Sequence, residues 1–241
     1  MKNFSHNKSR LKQKLKNREL SVGSWITIPH RAIIEILSSV DFEWLVIDIE
    51  HTPINIDSIA DGIAHIQANM LQALIRVDKN EESIIKRVLD FGADGIIVPM
   101  VNSKEDAINA VNFSKYPPFG KRGVGLNRAQ KYGISFKSYT HWVKEEMVII
   151  AQIEHIDGVN NIEEILSVEG IDGIIVGPYD LSASLGFPGD YNRKEVMDAL
   201  NRLEVVTAQK NMPMGYHVIE SDYNEVLKKI NNGYSFISFS A

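Results

Sequence analysis

The 241-residue sequence contains no cysteine. That absence excludes disulfides, thiolate nucleophiles and zinc–sulfur sites. Positive charge is not in excess either: 26 lysines and arginines stand against 31 aspartates and glutamates, for a net charge of −5. No global basic field therefore draws in nucleic acid or an anionic membrane. No apolar run is long enough to span a bilayer, and the first residues lack the apolar core of a secretory signal. We expect a cytoplasmic protein with no nucleic-acid or membrane partner. No His-x-x-x-His pair occurs, nor a phosphate-loop or dinucleotide glycine pattern, nor a nucleophile elbow. The three glycines of "GKRGVG" (120–125) fit neither glycine pattern.

What is present is ordinary for a folded domain: 44% apolar residues and 24% charged. The length suits one α/β barrel of about 250 residues, so residues 1–241 are read as a single domain. Its one basic cluster, "KSRLKQKLKNRE", places a basic helix within residues 1–19, read as a solvated face.

Eight short apolar runs recur, at 21–27, 44–49, 72–77, 94–100, 147–154, 172–178, 212–218 and 234–240. Most are rich in Val and Ile, as strands are. Segments with helical spacing lie between them. In "IDSIADGIAHIQANM", Ile56, Ile59, Ile63 and Ile66 recur at three- and four-residue steps. Ser103 is placed to cap the helix of "SKEDAINAVNFSKY", with Asp106 three residues on. Strict alternation of strand and helix predicts a parallel sheet with helical crossovers. Eight strands favour a closed (β/α)8 TIM barrel, with an open doubly wound sheet as the alternative. The phrases "FGADGIIVPM" and "VEGIDGIIVGP" read as copies of one βα unit.

Two features break the rhythm. Residues 116–139 form a long insertion after the fourth helix, of the kind that is functional or disordered. The sequence also stops just after the eighth run, so the helix that follows the eighth strand of a barrel is missing. We expect an exposed groove there, filled by another subunit or left open.

In such barrels the site forms at the C-terminal ends of the strands. The second run ends in Asp48, Glu50 and His51, the third in Arg76 and Asp78, and the fifth in Gln152 and Glu154. The sixth runs into Pro178, Tyr179 and Asp180. Glu154 and Asp180 sit on neighbouring strands. Held close, they repel each other, and a divalent cation relieves that conflict. Two carboxylates, with water and substrate completing the shell, suit magnesium or manganese. The alternative for Asp180 is a helix N-cap. Arg76 either grips a substrate carboxylate or pairs with Asp48 or Glu50. His51 is suited to proton transfer, and Asp48 is placed to orient its ring; the alternative is an ordinary surface histidine. His217 falls inside the seventh run and is placed to line the barrel. Arg122 is within reach of the site from the insertion.

Together "DIEH", "LIRV", "QIE" and "GPYDLSASLG", with "VPMVNSKEDA" and "PPFGKRGVG", resemble the HpcH/HpaI family of class II, metal-dependent pyruvate aldolases. The likeness runs in order from about Gly23 to about Gly189. It implies an enzyme, an aldehyde-lyase, that reversibly cleaves a 4-hydroxy-2-oxo acid to pyruvate and an aldehyde through a metal-stabilised pyruvate enolate. Magnesium or manganese is the implied cofactor, with cobalt and zinc as alternatives. By resemblance, Glu154 and Asp180 are metal ligands and Arg76 holds the pyruvate oxygens. His51 is the base, with Asp48 beside it. Gln152 lies near metal and substrate, and the backbone at Gly177, Pro178 and Tyr179 faces the pyruvate carboxylate. The implied partners are a keto acid, an aldehyde and further copies of the chain, in a hexamer whose final helix is exchanged between subunits. Two other functions stay open: an oxaloacetate decarboxylase-type lyase and a non-catalytic barrel.

Overall fold

The computed structural model describes residues 11–28 and 30–240. The elements run α1 (Leu11–Asn17), β1 (Ser21–Ile26), α2 (Arg31–Ser38), β2 (Trp44–Asp48), α3 (Ile56–Ala68), β3 (Gln72–Arg76), α4 (Glu82–Asp90), β4 (Gly95–Val98) and α5 (Lys104–Ser114). They continue through α6 (Phe136–Glu145), β5 (Val148–Ile153), α7 (Ile156–Asn160), α8 (Ile162–Ile165), β6 (Gly173–Val176), α9 (Pro178–Ser184), α10 (Lys194–Gln209), β7 (Met214–Val218), α11 (Tyr223–Asn231) and β8 (Phe236–Phe239). All the strands are parallel and each pairs with its sequence neighbours; β8 closes on β1. The barrel is therefore closed, and the open-sheet alternative falls. Every strand lies within an apolar run of the sequence. Among the described residues no helix follows β8.

Period-two alternation decides which side chains enter the barrel. Trp44 and Val46 of β2, Leu74 of β3, Ile97 of β4, Val148 and Ile150 of β5, Ile175 of β6 and Phe236 of β8 form the inner core. The alternate residues pack outward against the helices. The rings of Trp44 and Phe236 stack at 4.3 Å. Glycine makes room for them. A Cβ on Gly23 would lie 2.1 Å from the Trp44 ring, and one on Gly215 would lie 2.7 Å from the Phe236 ring. Gly23→Ala is expected to destabilise the protein by about 3 kcal/mol, the upper range for overpacking. Urea unfolding checks this; an unchanged midpoint would mean the inner core is looser than described.

The Asp-Gly repeat has a structural reason. Asp94 and Asp172 each precede a strand and reach back to the strand before it. Asp94 accepts from Ala73 N and Asp172 from Ile149 N, both at 2.9 Å. The following glycines, Gly95 and Gly173, sit where a side chain would meet neighbouring backbone. Each unit thus locks its register with one carboxylate.

Three expectations change here. The basic segment is not simply a solvated face: Leu11 and Leu15 of α1 are buried in the inner core, beneath Trp44 and Phe236. Lys12 pairs with Asp172 at 3.0 Å and Lys14 with Glu43 at 2.7 Å. The helix therefore plugs one end of the barrel, and residues 1–10 lie outside the described part. Secondly, the insertion carries a 3-10 turn (Arg128–Gly133) and runs into α6, which the sequence reading does not anticipate. Thirdly, Arg122 does not reach the strand ends. Its side chain is fully buried at the C-terminal ends of α4 and α5. There it pairs with Asp90 at 2.6 Å and lies over the Tyr116 ring. Helix C-termini face the N-terminal ends of the strands, so Arg122 braces the end opposite the mouth.

Candidate active site

The inward rows of the barrel continue past the apolar core into polar residues. Beyond Trp44 and Val46 come Asp48 and Glu50, beyond Leu74 comes Arg76, and beyond Val148 and Ile150 come Gln152 and Glu154. Gly177 follows Ile175, and His217 follows Gly215. The same alternation that fills the core thus aims a polar ring at the C-terminal mouth.

Asp48 and Arg76 are register partners on β2 and β3. The guanidinium meets the carboxylate in two-point contact, Nε to Oδ1 at 2.9 Å and Nη2 to Oδ2 at 2.6 Å. Nε also lies 3.4 Å from Glu50 Oε2, and among the described residues no side chain takes Nη1. The guanidinium carbon lies 4.5 Å above the Trp25 ring, a cation–π platform. The first-named choice for Arg76, an ion pair or a substrate contact, is thus not exclusive: one edge is held and another is open.

Asp48 meets His51 only weakly, through the main-chain N–H at 3.5 Å. The carboxylate beside the imidazole is Glu50, with Nε2 to Oε2 at 3.5 Å. The expectation that Asp48 orients the His51 ring is corrected accordingly. Asp48 is committed to Arg76 and to the Glu50 N–H, and strand alternation carries Glu50 to the same inward side. The His51 side chain is 59% exposed.

Glu154 is buried. Its Oε1 accepts from Met100 N at 2.8 Å, and its Oε2 accepts from Gln152 Nε2. Met100 holds a left-handed backbone at φ 52°. That is uncommon for a residue with a side chain and costs on the order of 1 kcal/mol. Here it aims an N–H at the carboxylate. Gly177 is required beside it, since a Cβ there would lie 2.8 Å from Glu154 Oε2. Burial raises the Glu154 carboxyl above its ordinary range, opposed by the Gln152 and Met100 hydrogen bonds and reinforced by the Asp180 charge. Burial likewise pushes Glu50 up to about 7. Arg76 opposes that shift, while Glu154, Asp48 and Asp180 add to it.

Asp180 is exposed in the first turn of α9, whose N-cap is Gly177 with no side-chain cap bond. It faces the same field as Glu50 and Glu154 and makes no cap of its own. Of the Gly177–Tyr179 backbone, Gly177 N already donates to Ile153 O and Pro178 has no N–H. The main-chain donor this segment can offer is that of Tyr179. His155 lies away from the ring as the N-cap of α7.

Two participants escape the sequence reading, and a third, Glu50, enters it only as a strand-end carboxylate and a pairing choice for Arg76. Trp25 looks like an ordinary aromatic of β1, Glu50 like a neighbour of two better candidates, and Met100 like an apolar residue. For Glu50 the period-two pattern was a usable signal. For Trp25 and the Met100 N–H nothing local marks the role.

A closed (β/α)8 barrel with carboxylates, one arginine and an imidazole gathered at its C-terminal mouth has the layout of a barrel enzyme's active site. The chain belongs to the HpcH/HpaI aldolase/citrate lyase family, whose profile matches residues 21–240. It is similar to the 2-keto-3-deoxy-L-rhamnonate aldolase of Escherichia coli (strain K12), at 36% identity over 187 residues, 77% of this chain and 70% of that protein. Among solved structures it is similar to an HpcH/HpaI aldolase/citrate lyase family protein from Burkholderia cenocepacia J2315, with a TM-score of 0.89 and 31% identity, over 96% of this chain and 92% of that one. It is also similar to the citrate synthase SbnG, with a TM-score of 0.85 and 29% identity, over 95% and 89% of the two chains. The protein is accordingly an aldolase of this family. Among the described residues no helix is long and apolar enough to cross a membrane.

Proposed function

We propose that the protein reversibly cleaves a 4-hydroxy-2-oxo acid to pyruvate and an aldehyde, with a divalent cation held by Glu154 and Asp180. The observation that carries this reading is the charge imbalance at the mouth. Glu154 and Asp180 add to the raised proton affinity of buried Glu50, Asp180 adds to that of buried Glu154, and Arg76, already paired with Asp48, opposes both shifts. Glu50 Oε2 is buried without a hydrogen bond, its basic neighbours being Arg76 Nε at 3.4 Å and His51 Nε2 at 3.5 Å. A divalent cation fits this donor set. Among the described residues no three His, Asp or Glu side chains close a site by themselves, so the proposed shell takes Glu154 and Asp180 from the protein and its remaining positions from water and substrate. Magnesium and manganese are favoured by the all-oxygen donors. The cation supplies Lewis-acid charge beside the 2-oxo group.

The chain's own residues do the rest. Arg76, held flat between Asp48 and Trp25, turns its free edge to the 2-oxo oxygen, where negative charge develops. Tyr179 N–H is placed for the substrate carboxylate. Gln152 fixes Glu154 through its amide and borders the keto acid. His51, with Glu50 beside its ring, takes the proton of the 4-hydroxyl. The C3–C4 bond then breaks, the aldehyde leaves, and the electron pair passes to the pyruvate half as its enolate. A proton returned to C3 gives pyruvate. No lysine is needed.

Pyruvate release from a panel of 4-hydroxy-2-oxo acids, run beside oxaloacetate, tests this reading. Release from the hydroxy-oxo acids is expected. Turnover of oxaloacetate alone would replace aldol cleavage with decarboxylation at the same anchors.

A further inference from the structure

The segment "YPPFGKRGVG" (116–125) takes no part in the chemistry at the mouth. It leaves α5 at Lys115, the C-cap of that helix, and so lies at the opposite end of the barrel. With α6 it borders a cleft of about 490 Å3. Small-molecule sites span about 300–1000 Å3. The walls are mainly aromatic. Tyr116 and Phe136 meet edge to face, with ring centroids 5.7 Å apart. Gln130 Nε2 donates to the Tyr116 hydroxyl at 3.0 Å, and the Arg122 guanidinium lies over the same ring. This wall is therefore fixed in advance. Phe119 and Val124 also line the cleft and are left exposed.

The ionisable side chains of the cleft are basic. Lys115, Lys137, His141 and Lys144 line it and no acidic residue does, in a chain of net charge −5. Lys137, His141 and Lys144 recur at four- and three-residue steps along α6 and so share one face of it. Lys144 Nζ lies 5.3 Å from the centroid of the Phe119 ring, an ammonium set beside an aromatic face. Two nearby acids are already engaged: Glu145 pairs with Lys144 at 3.1 Å, and Asp172 with Lys12 at 3.0 Å. Lys115 is left over. It is half-buried, and its ammonium lies against Gly170, where a Cβ would meet it at 2.8 Å. Burial lowers its proton affinity and the Lys12 charge adds to this, while Asp172, Glu169 and Glu145 oppose it from a distance. Among the described residues no carboxylate pairs with it. A partly buried ammonium without a paired anion is costly. An acid group brought by a ligand would offset that cost, and the apolar walls would take the rest of the molecule.

We propose that this cleft binds a small aromatic carboxylate, its ring against Tyr116, Phe119 and Phe136 and its acid group among Lys115, Lys137 and Lys144. Because the walls are mainly apolar, most of such a ligand is hydrocarbon and its polar part is a single anionic group. The cleft lies at the far end of the barrel from Arg76 and Glu154 and takes no part in bond making or breaking. The proposal therefore stands apart from the aldolase reading.

The probe is 1-naphthoate, followed by calorimetry on the manganese-loaded protein with and without saturating pyruvate. One naphthoate per chain is expected, with or without pyruvate. 1-Naphthylmethanol keeps the rings and lacks the charge, and is expected to bind roughly tenfold more weakly or worse. Lys137→Glu/Lys144→Glu changes two exposed positions. It is expected to weaken naphthoate by roughly tenfold or more and the alcohol by less than about threefold. Thr140→Trp fills the cleft from α6 and is expected to weaken acid and alcohol alike, by roughly tenfold. If that variant does not fold, the lysine pair carries the test. Pyruvate release is expected to stay within about twofold of wild type in the lysine pair, since distant sites act independently. No binding of naphthoate at up to about 10 mM, well above the millimolar range of weak ligands, would overturn the proposal. So would equal binding of acid and alcohol, or naphthoate affinity unchanged in the lysine pair. Binding seen only without pyruvate would place the probe at the mouth and overturn it as well.

Discussion

Replacing Glu154 by glutamine is expected to lower pyruvate release by about a thousandfold or more, the scale for removing a principal source of transition-state charge stabilisation. The fold should survive. Glutamine keeps the volume, and its amide oxygen can still accept from Met100 N. Gln152 can meet the new amide by turning its own side chain over, since the two ends of an amide are nearly isosteric. The substitution removes the charge and little else. Manganese affinity, read by calorimetry, should fall at least about a hundredfold, and the melting temperature should move by no more than about 3 °C. A variant within tenfold of wild type in both release and manganese affinity would remove Glu154 from the cation site. Alanine is a poorer test, because it also strands Met100 N and the Gln152 amide.

Arg76→Met is expected to damage both stability and chemistry. Asp48 would keep a buried carboxylate without its guanidinium, at a cost of about 3–5 kcal/mol. Turnover should fall by roughly 100- to 1000-fold, as for losing one donor to a developing oxyanion. The two effects separate in the double variant Arg76→Met/Asp48→Leu. Removing both charges should restore most of the stability, because the penalty lies in the unpaired charge. It should restore none of the turnover. Urea unfolding and pyruvate release on the same preparations check this. A stable and active double variant would show that the ion pair is a structural brace and that another group meets the 2-oxo oxygen.

The barrel was legible because its signals are local. Continuous Val and Ile runs mark strands buried on both faces, and the steps of Ile56, Ile59, Ile63 and Ile66 mark a helix laid over them. Ser103 at the head of α5 accepts from Asp106 N as its position suggests. Candidate residues such as Asp48, Arg76 and Glu154 stand out because each ends an apolar run. What the sequence does not carry is who faces whom. Arg76 had Asp48 and Glu50 as equal choices; the register sets Asp48 directly opposite it for the two-point contact, and Glu50 Oε2 also lies 3.4 Å from its Nε. Asp48 beside His51 in sequence suggested a ring partner, yet alternation gives that place to Glu50. Trp25 under Arg76 and Leu11 beneath Trp44 are contacts between distant segments, with no local pattern to announce them. Arg122 failed for the opposite reason. Its glycine-rich surroundings resembled a mobile loop, while Asp90, Tyr116 and Tyr139 hold it at the far end of the barrel.

The measurement that bears most directly on the central claim is pyruvate release from 4-hydroxy-2-oxo acids after treatment with chelator, followed by return of magnesium, manganese or cobalt one at a time. The account predicts that release stops with chelator and returns with at least one of these cations, while the circular dichroism of the barrel stays constant. Release that continues undiminished in a metal-free, folded preparation would contradict it, and Glu154 and Asp180 would then need another role.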